Sequence, residues 1–551
     1  MLLLASCPAD LAAQAIFSGP PGSAEGTNIE RRLPEAPSQS RPAVPPPIRL
    51  PQPATPREPP TTSETFVIAA VVVEGATVFR TETFVPLYSH LLARPIERRD
   101  LAAIAEAITN HYYEAGYTLS RAYIPPQDIE AGVVTVVVAE GWIERVSFSG
   151  DEPAPGIARR YADALTSERP LTKATLERQL LLLGDLFGIR VEDARLRPVD
   201  PASGRYELAL DLRRSSVDYY GYLDNRGTRS NGPWQLWNGI GYNSVGDSAW
   251  RVQTGFFTVP NSPREVLYGQ VGLSRSLGDN GTVLRSTVSA SRNISGPPGN
   301  ASDTESYSRR LQLGIGHPFW RRREFGLWGN LNFDALHSRE DRFQRLSFED
   351  ELRVIRPSAY LFAQDGWGGE TGINLETSFG LTVLGASPSG PERSRSDADT
   401  SFRKLRLDVW RNQTLLGPWS LYGQAAAQTA NKPLLSAEEF SLGGSRFGRG
   451  YDPAIIAGDR GAAGSVELRF TEPLSGPFVE YQLYGFYDVG RISNGTVDDN
   501  QRRRLASAGI GGRLTLDPAW RLNLELARPL NRVIGQEDRD LRSFLTLSAE
   551  F

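Results

Sequence analysis

Between positions 440 and 461 the chain reads FSLGGSRFGRGYDPAIIAGDRG, a glycine-rich stretch in which Arg446, Arg449 and Arg460 are interleaved with Asp452 and Asp459. The chemistry open to these residue types is ion pairing, not bond breaking. A guanidinium meets a carboxylate in a bidentate fork that fixes direction as well as charge. Next to Arg449, Gly450 lets the backbone pass close to another surface, and Tyr451 can pack its ring while its hydroxyl finds a partner.

Reactive groups elsewhere are sparse. Cys7 is the single cysteine and lies in a leader-like stretch, so a disulfide framework, a thiol nucleophile and a cysteine-ligated metal are excluded from the rest of the chain. His90, His111, His317 and His337 are scattered without ligand spacing, and no metal is expected. The sequence holds no GxxxxGK[ST] phosphate loop, no paired carboxylates that stand out and no Ser-His-Asp order. A net charge of −4 without a basic stripe argues against nucleic acid as the main partner. The expectation is a protein that is not an enzyme and carries no cofactor.

The elements around the arginine-rich stretch read as strands. From about residue 216 helical periodicity vanishes, and short alternating segments separated by Gly, Asn, Asp and Pro take over. LWGNLNFDA at 327–335 places Leu327, Gly329, Leu331 and Phe333 on one face and Trp328, Asn330, Asn332 and Asp334 on the other. KLRLDVW at 404–410 sets Leu405, Leu407 and Val409 against Arg406 and Asp408, and RLNLELA at 521–527 sets Leu522, Leu524 and Leu526 against Asn523 and Glu525. A face carrying full charges meets bulk water in a soluble sandwich or a wet lumen in a barrel. The barrel is favoured by the closing segment SFLTLSAEF, where Leu545, Leu547, Ala549 and Phe551 share a face that suits lipid. Residues 216–551 number 336, which sixteen strands with turns would use at ~21 residues each. No apolar run approaches the ~18 residues of a membrane helix; the best candidate is FVIAAVVV at 66–73.

Upstream lie two copies of a β-α-α-β-β pattern, at 65–141 and 142–214. In the first, RDLAAIAEAITNHYYEAG puts Leu101, Ile104, Ala105, Ile108 and Tyr112 on one helix face with Gly116 as the stop. ETFVPLYSHLL is read as the helix before it. In the second, Leu176, Leu180 and Leu183 line one side of a helix capped by Thr172. Residues 1–15 read as a signal peptide ending in Ala13-Gln14-Ala15, with LASC at 4–7 as a lipoprotein-like alternative; either exports the chain. Residues 16–64 follow as a short helix around 23–36 and a linker with eleven prolines between 34 and 60, an extended and semi-rigid spacer.

This arrangement resembles the outer-membrane transporters of two-partner secretion, within the superfamily that joins periplasmic POTRA domains to a 16-stranded antiparallel β-barrel. KPLLSAEEFSLGGSRFGRGYDPAIIAGDRGAAGSVELRF at 432–470 is similar to the family's sixth extracellular loop with its Arg-Gly-Tyr/Phe motif. GFYDVGR at 485–491 resembles its second barrel motif, and YLDNRGTRSNGPWQ at 222–235 its first barrel strand. Phe447-Gly448 departs from the family's aliphatic residue before the arginine, and Pro34 interrupts the plug-type helix.

The resemblance implies a signal peptide (1–15), a plug-type helix with a proline-rich linker (16–64), POTRA domains at 65–141 and 142–214, and a barrel from 215 to 551. It implies that Arg449, Gly450 and Tyr451 sit in the lumen with Asp488 as wall partner, that Phe486 and Gly490 belong to the barrel motif, and that Phe551 is the C-terminal barrel signal. A shielded Arg449–Asp488 pair would lose about 3–5 kcal/mol when one partner is removed; a wet one contributes only about 0–1 kcal/mol. The POTRA domains would capture an unfolded exoprotein of the β-helical adhesin or cytolysin type, with Val67, Val71, Tyr112, Tyr113 and Tyr123 as capture residues on a strand edge and groove. Other expected partners are outer-membrane lipid and the barrel-assembly machinery, with no nucleotide. The rival readings are a barrel-assembly insertase, a passive porin and a soluble secreted β-sandwich enzyme.

Overall fold

The computed structural model describes residues 65–551 except 130, 151–154, 229–231, 296–303, 477, 495–502, 518, 534–535 and 537. The expected signal peptide and the helix with its linker, residues 1–64, lie outside the described residues. The chain divides into two compact units, one holding the two repeats and the other the barrel.

In the first repeat Val133–Ala139 is the central strand, with Ala70–Glu74 parallel on one side and Arg121–Tyr123 antiparallel on the other. Helix α1 (Arg98–Glu114) starts at a reciprocal capping box, the Glu97 backbone N–H donating to Asp100 Oδ2 at 2.8 Å. Its apolar spacing buries Leu101, Ile104, Ile108 and Tyr112 with Ile68, Val134 and Val136. The helix expected at ETFVPLYSHLL is instead one α-turn, Val85–Tyr88, between the 3-10 turns Thr81–Phe84 and Ser89–Leu91. Phe84 and Tyr88 are its buried residues, so one turn suffices to seat both rings. A further ribbon pairs Thr65–Val67 with Pro95–Glu97.

The second repeat has the same sheet order. Arg205–Arg214 is central, flanked by Trp142–Ser149 in parallel and Ile189–Asp200 in antiparallel orientation. It carries helices α2 (Gly156–Ser167) and α3 (Lys173–Gly184). Thr172 caps α3 by accepting from the Thr175 backbone N–H at 3.2 Å.

The other unit is a closed antiparallel barrel of sixteen strands. In chain order they are β1 (Val217–Asp224), β2 (Gln235–Val245), β3 (Ala249–Thr258), β4 (Val266–Leu277), β5 (Thr282–Ser295), β6 (Thr304–Arg321), β7 (Phe325–Arg342) and β8 (Arg345–Gln364). The second half comprises β9 (Gly369–Gly380), β10 (Arg403–Thr414), β11 (Trp419–Ala430), β12 (Arg460–Pro473), β13 (Glu480–Ser493), β14 (Arg503–Asp517), β15 (Trp520–Pro529) and β16 (Arg542–Glu550). Closure joins β16 to β1 from Thr546↔Asp224 to Glu550↔Tyr220. Phe551 and Tyr219 extend the seam through reciprocal backbone hydrogen bonds of 3.0 Å.

Alternation along the strands turns an ordinary globule inside out. Leu405, Leu407, Leu524 and Leu526 are exposed, whereas Lys404, Asp408 and Glu525 are buried. Charge therefore lines the lumen and apolar groups sheathe the outside, the arrangement that lipid requires. At the rim where the chain enters the barrel, exposed Trp320, Trp419, Trp520 and Phe551 form part of an aromatic girdle, with Trp520 and Phe551 ring centroids 5.8 Å apart.

Toward the opposite rim β7 and β8 form a tall hairpin, and β8 pairs with β9 only from Val354 onward. Loop 381–402 covers the edge that remains. The Leu381 and Ser387 N–H groups donate to Arg353 O and Glu351 O, and Glu349 N–H donates to Glu392 O. Ala398 and Phe402 of this loop pack with Leu336, Leu352, Val354, Leu434 and Leu435.

Candidate functional site

The long connection between β11 and β12, residues 431–459, doubles back on itself through a two-stranded ribbon of Phe440–Leu442 and Ile456–Gly458. Gly443 begins the turn at φ 109°, where a Cβ would lie 2.2 Å from the Asp452 carbonyl oxygen. Phe440, Leu442, Phe447, Tyr451 and Ile456 pack with wall residues Ala463, Ile492 and Leu505, so the ribbon is seated inside the barrel. Gly490 makes room for it: a Cβ there would meet the Leu442 side chain at 2.6 Å.

At the tip, Arg449 and Asp488 are both buried. The guanidinium engages Asp488 as a fork, Nη2 to Oδ1 at 2.8 Å and Nε to Oδ2 at 3.1 Å. The backbone N–H groups of Gly448 and Arg449 also donate to Oδ2, at 3.2 and 3.0 Å. Ser465 Oγ and Ser507 Oγ donate to the same carboxylate at 2.8 and 3.0 Å. Six donors thus converge on two oxygens, which holds a charge without water. The Phe486 ring lies under the guanidinium, 3.5 Å from its carbon to the centroid, a cation–π contact.

Two further acids complete the tip site. Arg449 Nη1 donates to Glu467 Oε1 at 2.5 Å and stands 3.6 Å from Glu525 Oε2. Glu467 also pairs with Arg469 and Arg513, and Glu525 with Arg226. Gly450 approaches the wall so closely that a Cβ would lie 2.7 Å from Pro529 N and 2.9 Å from Arg528 C. The Tyr451 hydroxyl makes hydrogen bonds with Ala506 O at 3.0 Å and Asn531 O at 2.8 Å.

A second ionic contact lies eleven residues earlier in the loop, and sequence reading missed it. Glu438 accepts from Arg356 Nη1 at 3.0 Å and Nη2 at 2.5 Å, and from Lys404 Nζ at 2.5 Å. Arg356 continues to Asp334, which takes a two-pronged contact from Arg310. Between the two sites Arg446 Nη2 donates to Asp408 Oδ1 at 2.9 Å. The signal available beforehand was the run Glu438-Glu439 in the loop together with inward parity for Arg356 and Lys404. Pairing them required the three-dimensional path of the loop.

The five capture residues divide in the first repeat. Val67 and Tyr113 are exposed, and Tyr123 is half-buried with its hydroxyl donating to Ala202 O at 3.3 Å. Val71 and Tyr112 are core residues, which corrects their assignment to a contact surface: the apolar face of α1 carries Tyr112 inward. The Tyr112 hydroxyl donates to Glu140 Oε1 at 2.8 Å. Burial pushes the Glu140 carboxyl up, but hydrogen bonds from Thr77, Val78 and Tyr112 outweigh it and hold the group below its ordinary value. Burial and that same carboxylate push the Tyr112 phenol well up. Among the described residues, Ala70–Glu74 keeps one side of its strand unpaired in the sheet.

Residues 66–141 match the family model described as POTRA domain, ShlB-type, and residues 363–514 match that of haemolysin secretion/activation protein ShlB/FhaC/HecB. The heme/hemopexin transporter protein HuxB of Haemophilus influenzae is 20% identical over 480 residues, covering 83% of this chain and 82% of that protein. The outer membrane transporter CdiB of Escherichia coli is 24% identical over 434 residues, 74% of this chain and 69% of that protein. In fold the chain is similar to solved CdiB from Escherichia coli, with a TM-score of 0.72 and 20% identity over 91% of this chain and 93% of that one. CdiB from Acinetobacter baumannii gives 0.63 and 15% over 89% and 91%. An apolar-sheathed, charge-lined barrel preceded by a POTRA domain is an outer-membrane transporter with its POTRA region in the periplasm. Over these stretches the chain is similar to the ShlB/FhaC/HecB family of two-partner secretion transporters, whose members work with secreted exoproteins and are transporters rather than enzymes.

Proposed function

We propose that the repeats, as two POTRA domains at 65–141 and 142–214, capture an unfolded exoprotein in the periplasm and pass it to a lumen that loop 431–459 obstructs at rest. The open side of Ala70–Glu74 can accept an extended segment through main-chain hydrogen bonds, with exposed Val67 just before the strand, exposed Tyr113 on α1 and half-buried Tyr123 as the remaining candidate contacts. Displacement of the loop then opens the route, and folding of the exoprotein outside the cell opposes its return. The observation that carries this reading is the seating of Arg449 on Asp488, a charged and directional contact in place of a purely apolar one. The test compares secretion of the exoprotein encoded beside this chain for wild type and Arg449→Ala at matched outer-membrane levels. Secretion restricted to the wild type supports the proposal, and secretion indifferent to the transporter itself moves the insertase or porin reading forward.

A further inference from the structure

Loop 431–459 presents the buried acid Glu438 and the buried base Arg449 to the barrel wall, and the wall answers each with opposite charge, whereas its other buried acids, Glu439 and Asp459, pair with Arg395 of loop 381–402. Arg449 faces Glu467, Asp488 and Glu525 on β12, β13 and β15 respectively. Glu438 faces Arg356 on β8 and Lys404 on β10. Lys404 supplies the decisive detail. Its side chain is fully buried, yet among the described residues both hydrogen bonds of its ammonium end on Glu438, at Oε2 (2.5 Å) and at the backbone oxygen (3.3 Å). A buried ammonium whose hydrogen bonds all go to a loop is stranded when that loop leaves, because a lone charge in a shielded site is strongly disfavoured.

The surrounding wall does not restore the balance. Without Glu438 the cluster holds Arg310, Arg356 and Lys404 against Asp334 and Glu376, and the Arg356–Glu376 approach is 3.8 Å. The loop therefore supplies the acid that this part of the wall lacks, as Arg449 supplies a base to the acids on the other part.

We propose that Glu438 is a second anchor of the lumen loop, acting as a positioning residue through Lys404 and Arg356, and that the loop is a crossbar with two feet of opposite charge. The inference rests on the reading that this loop obstructs the pore. Because the two feet share no hydrogen-bonding partner among the described residues, releasing one leaves the other engaged, and their contributions add in free energy. Each foot is then expected to hold the closed-to-open ratio of the loop by about a hundredfold.

The test is ion conductance of the purified full chain in planar bilayers, for wild type, Glu438→Gln, Lys404→Gln, Arg449→Ala and Glu438→Gln with Arg449→Ala. Each single variant should raise the open fraction, Lys404→Gln should reproduce Glu438→Gln, and the double variant should multiply the effects of its two singles. Wild-type conductance in both Glu438→Gln and Lys404→Gln, or a double variant no more open than Arg449→Ala, overturns the second anchor. So does failure of both Glu438→Gln and Lys404→Gln to reach the heat-modifiable folded form, which would make Glu438 a folding residue. Conductance needs no exoprotein, so altered conductance with unaffected secretion would sink the transport reading while leaving the anchor in place.

Discussion

Replacing Arg449 by alanine and Asp488 by asparagine, singly and together, gives the sharpest test of the tip site. Arg449→Ala removes three hydrogen bonds to carboxylates, a fourth to Ser465 Oγ and the cation–π contact, and leaves Asp488 buried with two backbone N–H groups and two serine hydroxyls. Breaking a buried pair in this way costs about 3–5 kcal/mol. Four neutral donors remain at Asp488, and Glu467 keeps Arg469 and Arg513, so the lower end, about 3 kcal/mol, is expected. Asp488→Asn keeps the shape while Arg449 still holds Glu467, and about 1.5–3 kcal/mol is expected. Once the guanidinium is gone, the neutral amide introduced by Asp488→Asn is no worse than an unpaired carboxylate. The double variant should therefore lie within about 1 kcal/mol of Arg449→Ala alone. The assay is the temperature at which the folded barrel loses its fast gel migration in detergent, read beside secretion. Losses that simply add would refute the reasoning.

Two other perturbations are also quantitative. Gly450→Ala should destabilise the seated loop by about 1–3 kcal/mol, because its new methyl meets backbone that cannot step aside; an unchanged heat-modifiability midpoint and unchanged conductance would disprove the close approach. Glu140 contributes stability through a carboxyl held below its ordinary value of 4.5. That contribution is present above pH 4.5 and is lost as pH falls through the lower folded value. In the full chain, the protease resistance of the first repeat should differ between wild type and Glu140→Gln at neutral pH, and the gap should narrow in acid; a constant gap would rule the mechanism out.

What was legible beforehand followed from local periodicity. Side chains on a strand alternate with a period of two, so Leu405 and Leu407 against Arg406 and Asp408 already separated the lipid face from the lumen face. The same rule applied to helices placed Tyr112 with Leu101, Ile104 and Ile108, and its assignment as a contact residue set that spacing aside. The ribbon of Thr65–Val67 and Pro95–Glu97 escaped notice because three residues carry no measurable period. The lumen network was illegible for another reason: Glu438 reaches Arg356 across 82 positions and Lys404 across 34. Such contacts depend on register around the barrel and on the fold of the loop, neither of which is a local property.

Anchoring a movable loop by buried charge has a physical consequence that apolar anchoring lacks. A buried ion pair recovers in mutual attraction roughly what it lost in desolvation, so its net contribution against two hydrated ions is small, whereas removing one member strands the other at several kcal/mol. The seats of Arg449 and Glu438 are accordingly intolerant of substitution. When the loop withdraws it carries off one member of each pair and leaves the wall member in a shielded site, so each foot adds the cost of a stranded charge to opening. Withdrawal of the apolar part of the seat exposes its surface to water at about 25 cal/mol per Å². The apolar contacts, from Phe440 to Ile456, therefore add to the barrier, while the two charged feet fix where the loop returns.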